Sequence, residues 1–340
     1  MKALVKSGLT PDGVNLIEID KPVPKSGELL VKIMAAGICG TDIHIMHDEY
    51  KSFMPVVMGH EFTGIVEGIG DDVNRFCEGD QIIASTAAKT CEHCEYCREG
   101  LRMLCENRRS IGSGINGAMA EYMLIPEKLA YKVPDKYNGS KIIAIAEPIA
   151  CVVRAVIEQS LFHAGDVVLV SGPGTIGLLT LQILKYAGAF VIVNGTSIDE
   201  ERLSLAKDLG ADVVCCDSIS LKKALNKYAS SGVDVAYECA GHVNSLSVCI
   251  DSLKKRGNLA QVGLYGKPIT LDFDKILYKE IKVTVSFASE PSSWNLLIKI
   301  LTHSELRLEP LISNAYKLEN WREAFDKFEK KEGLKILLVP

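Results

Sequence analysis

Residues 166–177 read Asp166-Val167-Val168-Leu169-Val170-Ser171-Gly172-Pro173-Gly174-Thr175-Ile176-Gly177. The unbroken apolar run, rich in β-branched residues, is the pattern of a strand buried on both faces of a parallel sheet. A G-x-G-x-x-G spacing follows at once, and Ile176 to Ala187 then reads as a helix. In that context each glycine has its own duty. Gly172 permits the tight turn, Gly174 lets the backbone approach a pyrophosphate, and Gly177 allows close helix–strand packing. The helix start, with Thr175 and Ile176, offers free N–H groups to phosphates. The plainer alternative is a glycine-rich turn in some other α/β domain, but strand, glycines and helix coincide here.

Working outward, the alternation continues. Phe190 to Val193, Asp212 to Cys216, Asp234 to Glu238 and Asn258 to Val262 read as strands, and Asp199 to Leu209 as a helix stopped by Gly210. Strands alternating with helices predict a doubly wound parallel sheet. Upstream, Ile149 to Leu161 is an apolar helical stretch. The first 150 residues differ: short β-prone runs (Leu29 to Ala35, Gln81 to Ser85) are broken by Pro22, Pro24, Gly27, Gly64, Gly68 and Gly70. They predict a small irregular barrel. The segment from about Val285 holds one clear helix, Asn320 to Lys331, and a last strand, Lys335 to Val339.

The residues after the second strand bear on which dinucleotide binds. An acidic residue at that strand end would hold the ribose 2′-hydroxyl of NAD. Here the chain reads Asn194-Gly195-Thr196-Ser197, with no carboxylate until Asp199. Gly195, Thr196 and Ser197 leave room for a 2′-phosphate and Arg202 could neutralise it. The reading favours NADP(H); Asp199 is the residue that argues for NAD.

The chain has 340 residues, 47% hydrophobic and 24% charged, with eleven cysteines and a net charge of −5. That length and balance suit two soluble domains. The mild negative charge gives no electrostatic case for nucleic acid or an anionic membrane. Met1 to Lys6 lacks the apolar core of a secretion signal, and Val167 to Val193 is too interrupted to span a membrane,. A cytoplasmic protein is expected, in which clustered cysteines serve metals rather than disulfides.

Cys91, Cys94, Cys97 and Cys105 stand at the spacing of a four-thiolate zinc site, closed and therefore structural,. An iron–sulfur cluster is the alternative use of such a set. A second site is spread along the chain: Cys39-Gly40-Thr41-Asp42-Ile43-His44, Gly59-His60-Glu61 and Glu147-Pro148. A lone histidine or cysteine is more often packing. Together, though, a thiolate, an imidazole and carboxylates are the mixed donor set of a catalytic zinc.

These motifs, with Gly117 to Tyr122 and Gly333 to Leu338, resemble the zinc-containing medium-chain dehydrogenases, most closely their sorbitol (polyol) dehydrogenase branch. The resemblance runs end to end. It implies a GroES-like catalytic domain over residues 1–150, joined by 286–340, and a Rossmann NAD(P)-binding domain over 151–285. It implies two zincs per chain and NADP or NAD. The catalytic zinc would take Cys39 and His60, with Glu61 and Glu147 as ligands or water-mediated partners. Thr41 and His44 would relay the proton, with Glu147 behind them. Val262 and Leu264, with Ala240 and Gly241, would line the nicotinamide side. The expected substrate is a small alcohol or polyol, and the expected assembly a homodimer or homotetramer. Met119, Ala288 and Ser289 depart from the sorbitol branch, which carries an aromatic residue and an Arg-Tyr pair there. Ile45 and Met46 are expected to add apolar surface after His44. Other polyols, sugar phosphates such as galactitol 1-phosphate, simple secondary alcohols and threonine therefore stay open as substrates.

Overall fold

The computed structural model describes all of residues 1–340. The chain divides into two units, Met1–Pro148 with Ser289–Pro340, and Ile149–Ala288.

The second unit carries a six-stranded parallel sheet. Its strands run in the order Val213–Cys215, Phe190–Asn194, Val167–Ser171, Val233–Glu238, Leu253–Gln261, Lys282–Val285. The sequence order reverses beside Val167–Ser171, which makes the crevice at its C-terminal end the expected ligand position. Leu169, Ile192, Val233, Ala236, Leu246, Ile250 and Leu259 form one buried cluster with the flanking helices. Two helices not foreseen from the sequence, Ser218–Tyr228 and Val243–Ser252, complete the alternation. The first has a readable start: the Asp217 carboxylate accepts the Ser220 N–H at 2.7 Å,. The helix expected over 149–161 begins at Ala146, runs to Val153 and continues as a wider π turn over Arg154–Gln159.

The first unit is built on antiparallel pairs. Glu28–Gly37 is the central strand of a seven-stranded sheet, with Glu61–Ile69 on one side and the C-terminal strand Lys335–Val339 on the other. Its core gathers Leu29, Val31, Ile33, Phe62, Val66, Trp321, Phe325, Ile336 and Leu338. The chain's last strand is thus a working part of the N-terminal barrel. One expectation needs correcting: the segment after Val285 holds two long helices, Pro291–His303 as well as Trp321–Glu329. Pro291 occupies the first turn, where its missing N–H costs nothing, and the Ser293 hydroxyl accepts the Glu290 N–H at 3.2 Å,. No helix is long and apolar enough to cross a membrane.

Candidate active site and metal centres

The four cysteine sulfurs converge. Those of Cys91, Cys94, Cys97 and Cys105 all lie within 4.8 Å of one another. Cys91 and Cys97 stand 3.9 Å apart, close to the roughly 3.8 Å edge of a tetrahedron with Zn–S bonds near 2.3 Å. Backbone N–H groups also point at the sulfurs, from Cys94 to Cys91 at 3.3 Å and from Cys91 to Cys105 at 3.4 Å. Such bonds favour the thiolate, and those from His93 and Cys94 bring the Cys91 thiol down to about 6,. The set fits a closed zinc site.

The scattered motif also converges, in part. Donor atoms of Cys39, His60 and Glu61 lie within 4.8 Å of one another. Cys39 and His60 are half-buried and Glu61 is buried. The mixture of sulfur, nitrogen and oxygen donors suits a zinc ion with a position left open. Glu147 is buried but stands outside that group of three; its charge is felt at Lys335.

Several residues hold this cluster in place without having stood out in the sequence. Asp42, fully buried, accepts the Cys39 N–H at 2.9 Å with one oxygen. Its other oxygen is 3.7 Å from His60 Nδ1, which leaves Nε2 as the ring's free donor face. Burial disfavours a charged imidazole, yet Asp42 and Cys39 outweigh it, and His60 is held well above its ordinary value. A metal would have to displace that proton. Lys335 Nζ, wholly buried, bonds both Glu61 oxygens at 2.8 Å and the Ile38 carbonyl at 3.0 Å. Burial opposes its charge, but Glu61 prevails and its value is raised. Glu61 lies so close to Gly37 that a Cβ there would come within 2.4 Å of its carboxylate.

Helix Gly40–Met46 carries Thr41 and His44. The Thr41 hydroxyl is 3.7 Å from the Cys39 sulfur. His44 Nδ1 is 2.6 Å from a Glu49 carboxylate oxygen. A carboxylate only accepts, so Nδ1 carries the hydrogen and Nε2 is the basic nitrogen of the neutral ring.

In the second unit, Gly172 has φ 102° and a Cβ on Gly177 would stand 1.9 Å from the Gly172 carbonyl. No protein atom would meet a Cβ on Gly174, so packing does not demand glycine there. A cavity of about 990 Å³ opens beside the strand ends, lined by Gly172, Asn194, Gly195, Thr196, Asp199 and Cys216 among others. Both bonds that Thr196 donates go to one Asp199 oxygen, from its N–H at 2.9 Å and its hydroxyl at 2.8 Å. Arg202 stands 3.5 Å from the other oxygen. Asp199 is therefore committed as a helix cap. Glu238, fully buried, accepts N–H groups from Ala240 at 3.0 Å and Gly241 at 3.1 Å, and the Gln261 amide at 2.8 Å. Its own carbonyl accepts from Val262 at 3.0 Å. Glu238 thus ties Ala240 and Gly241 through its carboxylate and Val262 through its own carbonyl, at both loops expected on the nicotinamide side; Leu264 is exposed.

Against this geometry, residues 25–135 match the alcohol dehydrogenase GroES-like domain and residues 175–303 the zinc-binding dehydrogenase domain. D-arabitol-phosphate dehydrogenase of Enterococcus avium is 37% identical, over 99% of this chain and 97% of that protein. The chain belongs to the zinc-containing medium-chain dehydrogenases. A sorbitol dehydrogenase of Halalkalibacterium halodurans is 34% identical over 100% of this chain and 99% of its own. Among solved structures, a zinc-binding dehydrogenase of Sinorhizobium meliloti bound to NADP superposes with a TM-score of 0.87. It is 30% identical and covers 100% of this chain and 99% of that one. As a member of this polyol dehydrogenase-like group, the chain is a zinc-dependent alcohol or polyol dehydrogenase using zinc and NAD(P).

Four expectations about the pocket are corrected. Met119 is fully buried, in contact range of Gly59, and offers no surface to a substrate. Ser289 is buried too, its hydroxyl accepting the Trp294 indole N–H at 3.0 Å. Ile45 and Met46 belong to the core cluster rather than to a pocket wall. These four positions set packing, so they do not report on the substrate.

Proposed function

We propose that this zinc-dependent dehydrogenase oxidises a secondary alcohol of a sugar alcohol, free or phosphorylated, and prefers NADP. The observation that carries the reading is the Cys39–His60–Glu61 cluster, one residue from a helix that presents Thr41 and His44. Cys39 and His60 would hold the catalytic metal, with Glu61 and Glu147 as its carboxylate partners. Zinc bound there supplies the Lewis acidity that makes a carbinol hydroxyl acidic at neutral pH. Thr41 receives the hydroxyl's proton by hydrogen bond and His44 takes it at Nε2. Glu49 stabilises the imidazolium that forms, and the exposed ring returns the proton to water,. A bound nicotinamide would supply the hydride acceptor, so that alcohol and NADP⁺ would give ketone, NADPH and one proton. Glu238 keeps Ala240–Gly241 and Val262–Leu264 in place for that ring.

The NADP preference rests on Gly195, Thr196, Ser197 and Arg202, and on the commitment of Asp199 to Thr196. The check is kcat/KM with each nucleotide, followed at 340 nm over polyols, polyol phosphates, threonine and simple secondary alcohols. Turnover of sugar alcohols or their phosphates, with NADP ahead of NAD, is expected. Arg202→Gln should narrow the nucleotide preference about 10- to 100-fold, the worth of one charge-assisted bond to phosphate. A wild-type preference for NAD contradicts the nucleotide reading, and activity on threonine alone contradicts the substrate reading.

The chain is also proposed to pair with a second copy through strand Lys282–Val285. That strand closes the six-stranded sheet with one side unpaired. Around it Val283, Val285, Phe287, Leu277 and Tyr278 are all exposed. An apolar sheet edge left in water invites further pairing, and a two-fold axis lets the same edge serve both partners. Sedimentation equilibrium should find a dimer or tetramer, and Val285→Asp should lower the association state. A wild-type monomer at micromolar concentration contradicts this.

A further inference from the structure

We infer that Lys51 and Arg109, gathered on the ring of Phe53, form a recognition site for the phosphate ester of a phosphorylated sugar alcohol. This deepens the substrate reading above and rests on it. The Arg109 guanidinium stacks 3.3 Å from the Phe53 centroid, and the Lys51 ammonium stands 5.2 Å from the same point. A ring face attracts each cation singly, but two like charges on one ring repel, and here no carboxylate neutralises them. The acidic residues next in the chain are taken: Asp48 pairs with the buried Lys6 at 2.9 Å, and Glu49 holds His44. Other cations of this unit stand singly or are paired, as Lys128 is with Glu92 at 2.8 Å and Lys132 with Asp80 at 2.9 Å; Lys51 and Arg109 differ in sharing one ring. Two uncompensated cations, one of them a planar guanidinium, suit a dianionic oxyanion.

The chain path places the pair by the chemistry. The His44 carbonyl accepts the N–H groups of Glu49 at 2.8 Å and Tyr50 at 3.2 Å, and Lys51 follows directly. The Phe53 N–H bonds the Ser113 carbonyl at 2.8 Å, tying this loop to the one that carries Arg109. That second loop packs on Gly59, the residue before His60: a Cβ on Gly112 would stand 2.7 Å from the Gly59 carbonyl. Lys51 and Arg109 therefore sit on the two segments that run on from His44 and lie against His60. A sugar alcohol whose carbinol is at the metal cluster could direct a terminal phosphate to them.

The test compares D-arabitol phosphate with D-arabitol, supplying both nucleotides, in the wild type and in the double variant Lys51→Gln, Arg109→Gln. The wild type should favour the phosphate ester in kcat/KM. The double variant should cut that preference about 100-fold, through KM rather than kcat. Lys51→Arg should retain most of it, since charge is what is being read. A preference equal in wild type and double variant overturns the site and leaves the phosphorylated-polyol reading standing. Equal loss on both substrates means the pair only pins the loop, and also overturns the site. A wild type that favours D-arabitol removes the phosphate ligand but keeps the polyol reading. Failure to turn over or bind either compound, by calorimetry, overturns both.

Discussion

Cys39→Ser should abolish turnover and leave the fold standing. Stabilisation of developing oxyanion charge by a bound metal is worth several kcal/mol, and about 4 kcal/mol is a thousandfold in rate. Losing the thiolate from the Cys39–His60–Glu61 cluster should therefore lower kcat by at least about 10³-fold. Zinc content should fall from two per chain towards one. The melting temperature should move little, because Cys39 is half-buried in a site still held by Asp42, Glu61 and Lys335. Cys94→Ser should show the opposite order. Its sulfur closes the four-thiolate loop, so the variant loses the other zinc and unfolds at lower temperature before its chemistry is touched. Metal analysis, thermal unfolding and kcat on the same two preparations separate the roles. Undiminished turnover in Cys39→Ser, or a stable and merely inactive Cys94→Ser, would reverse the assignments.

Lys335→Met should strongly destabilise the N-terminal unit. The ammonium is wholly buried and satisfies both Glu61 oxygens and the Ile38 carbonyl. Removing it strands a buried carboxylate, and breaking such a pair costs about 3–5 kcal/mol. The Ile38 carbonyl, directly before Cys39, loses its donor as well. Replacing both partners, Glu61→Gln with Lys335→Met, should restore much of that loss, since a buried pair is far worse broken than absent. Because the folded pKa of Lys335 is raised from 10.5, the pair's contribution is complete below that pH. It is lost only as pH rises through the raised value. Urea unfolding at neutral pH reads the effect. A loss under about 1 kcal/mol for the single variant would mean that water reaches the pair.

What the sequence discloses about this molecule follows the range of the interactions involved. The Gly172–Gly177 turn and the Cys91–Cys105 loop are local: each is a short string whose spacing states its own geometry. The four-cysteine cluster and the parallel sheet are legible for that reason; the Cys39–His60–Glu61 set, spread along the chain, is legible through the family resemblance of its motifs. Lys335 was not, because its partner Glu61 lies 274 positions away and a lysine in a strand reads as a surface residue. Asp42 and Glu238 escaped similarly. Their carboxylates bind backbone N–H groups; Asp42 does so at the three-residue spacing of a capping box,, whereas nothing in the spacing announces Glu238. Helix Pro291–His303 carries a signal in the sequence, a proline in the first turn after Glu290. Met119, Ser289, Ile45 and Met46 show the reverse error. Aligned with a pocket by resemblance, they are packing residues here, since one-dimensional position cannot tell the inner wall of a site from the core behind it.

The central claim is that the Cys39–His60–Glu61 cluster holds a zinc required for turnover, distinct from the zinc of the cysteine loop. Zinc per chain and kcat, measured together while a chelator withdraws metal from the wild-type protein and zinc is then restored, test it most directly. The account predicts two zincs at full activity, no turnover once the open-site zinc is gone and one remains, and recovery on re-addition. Full activity at one zinc per chain would contradict it.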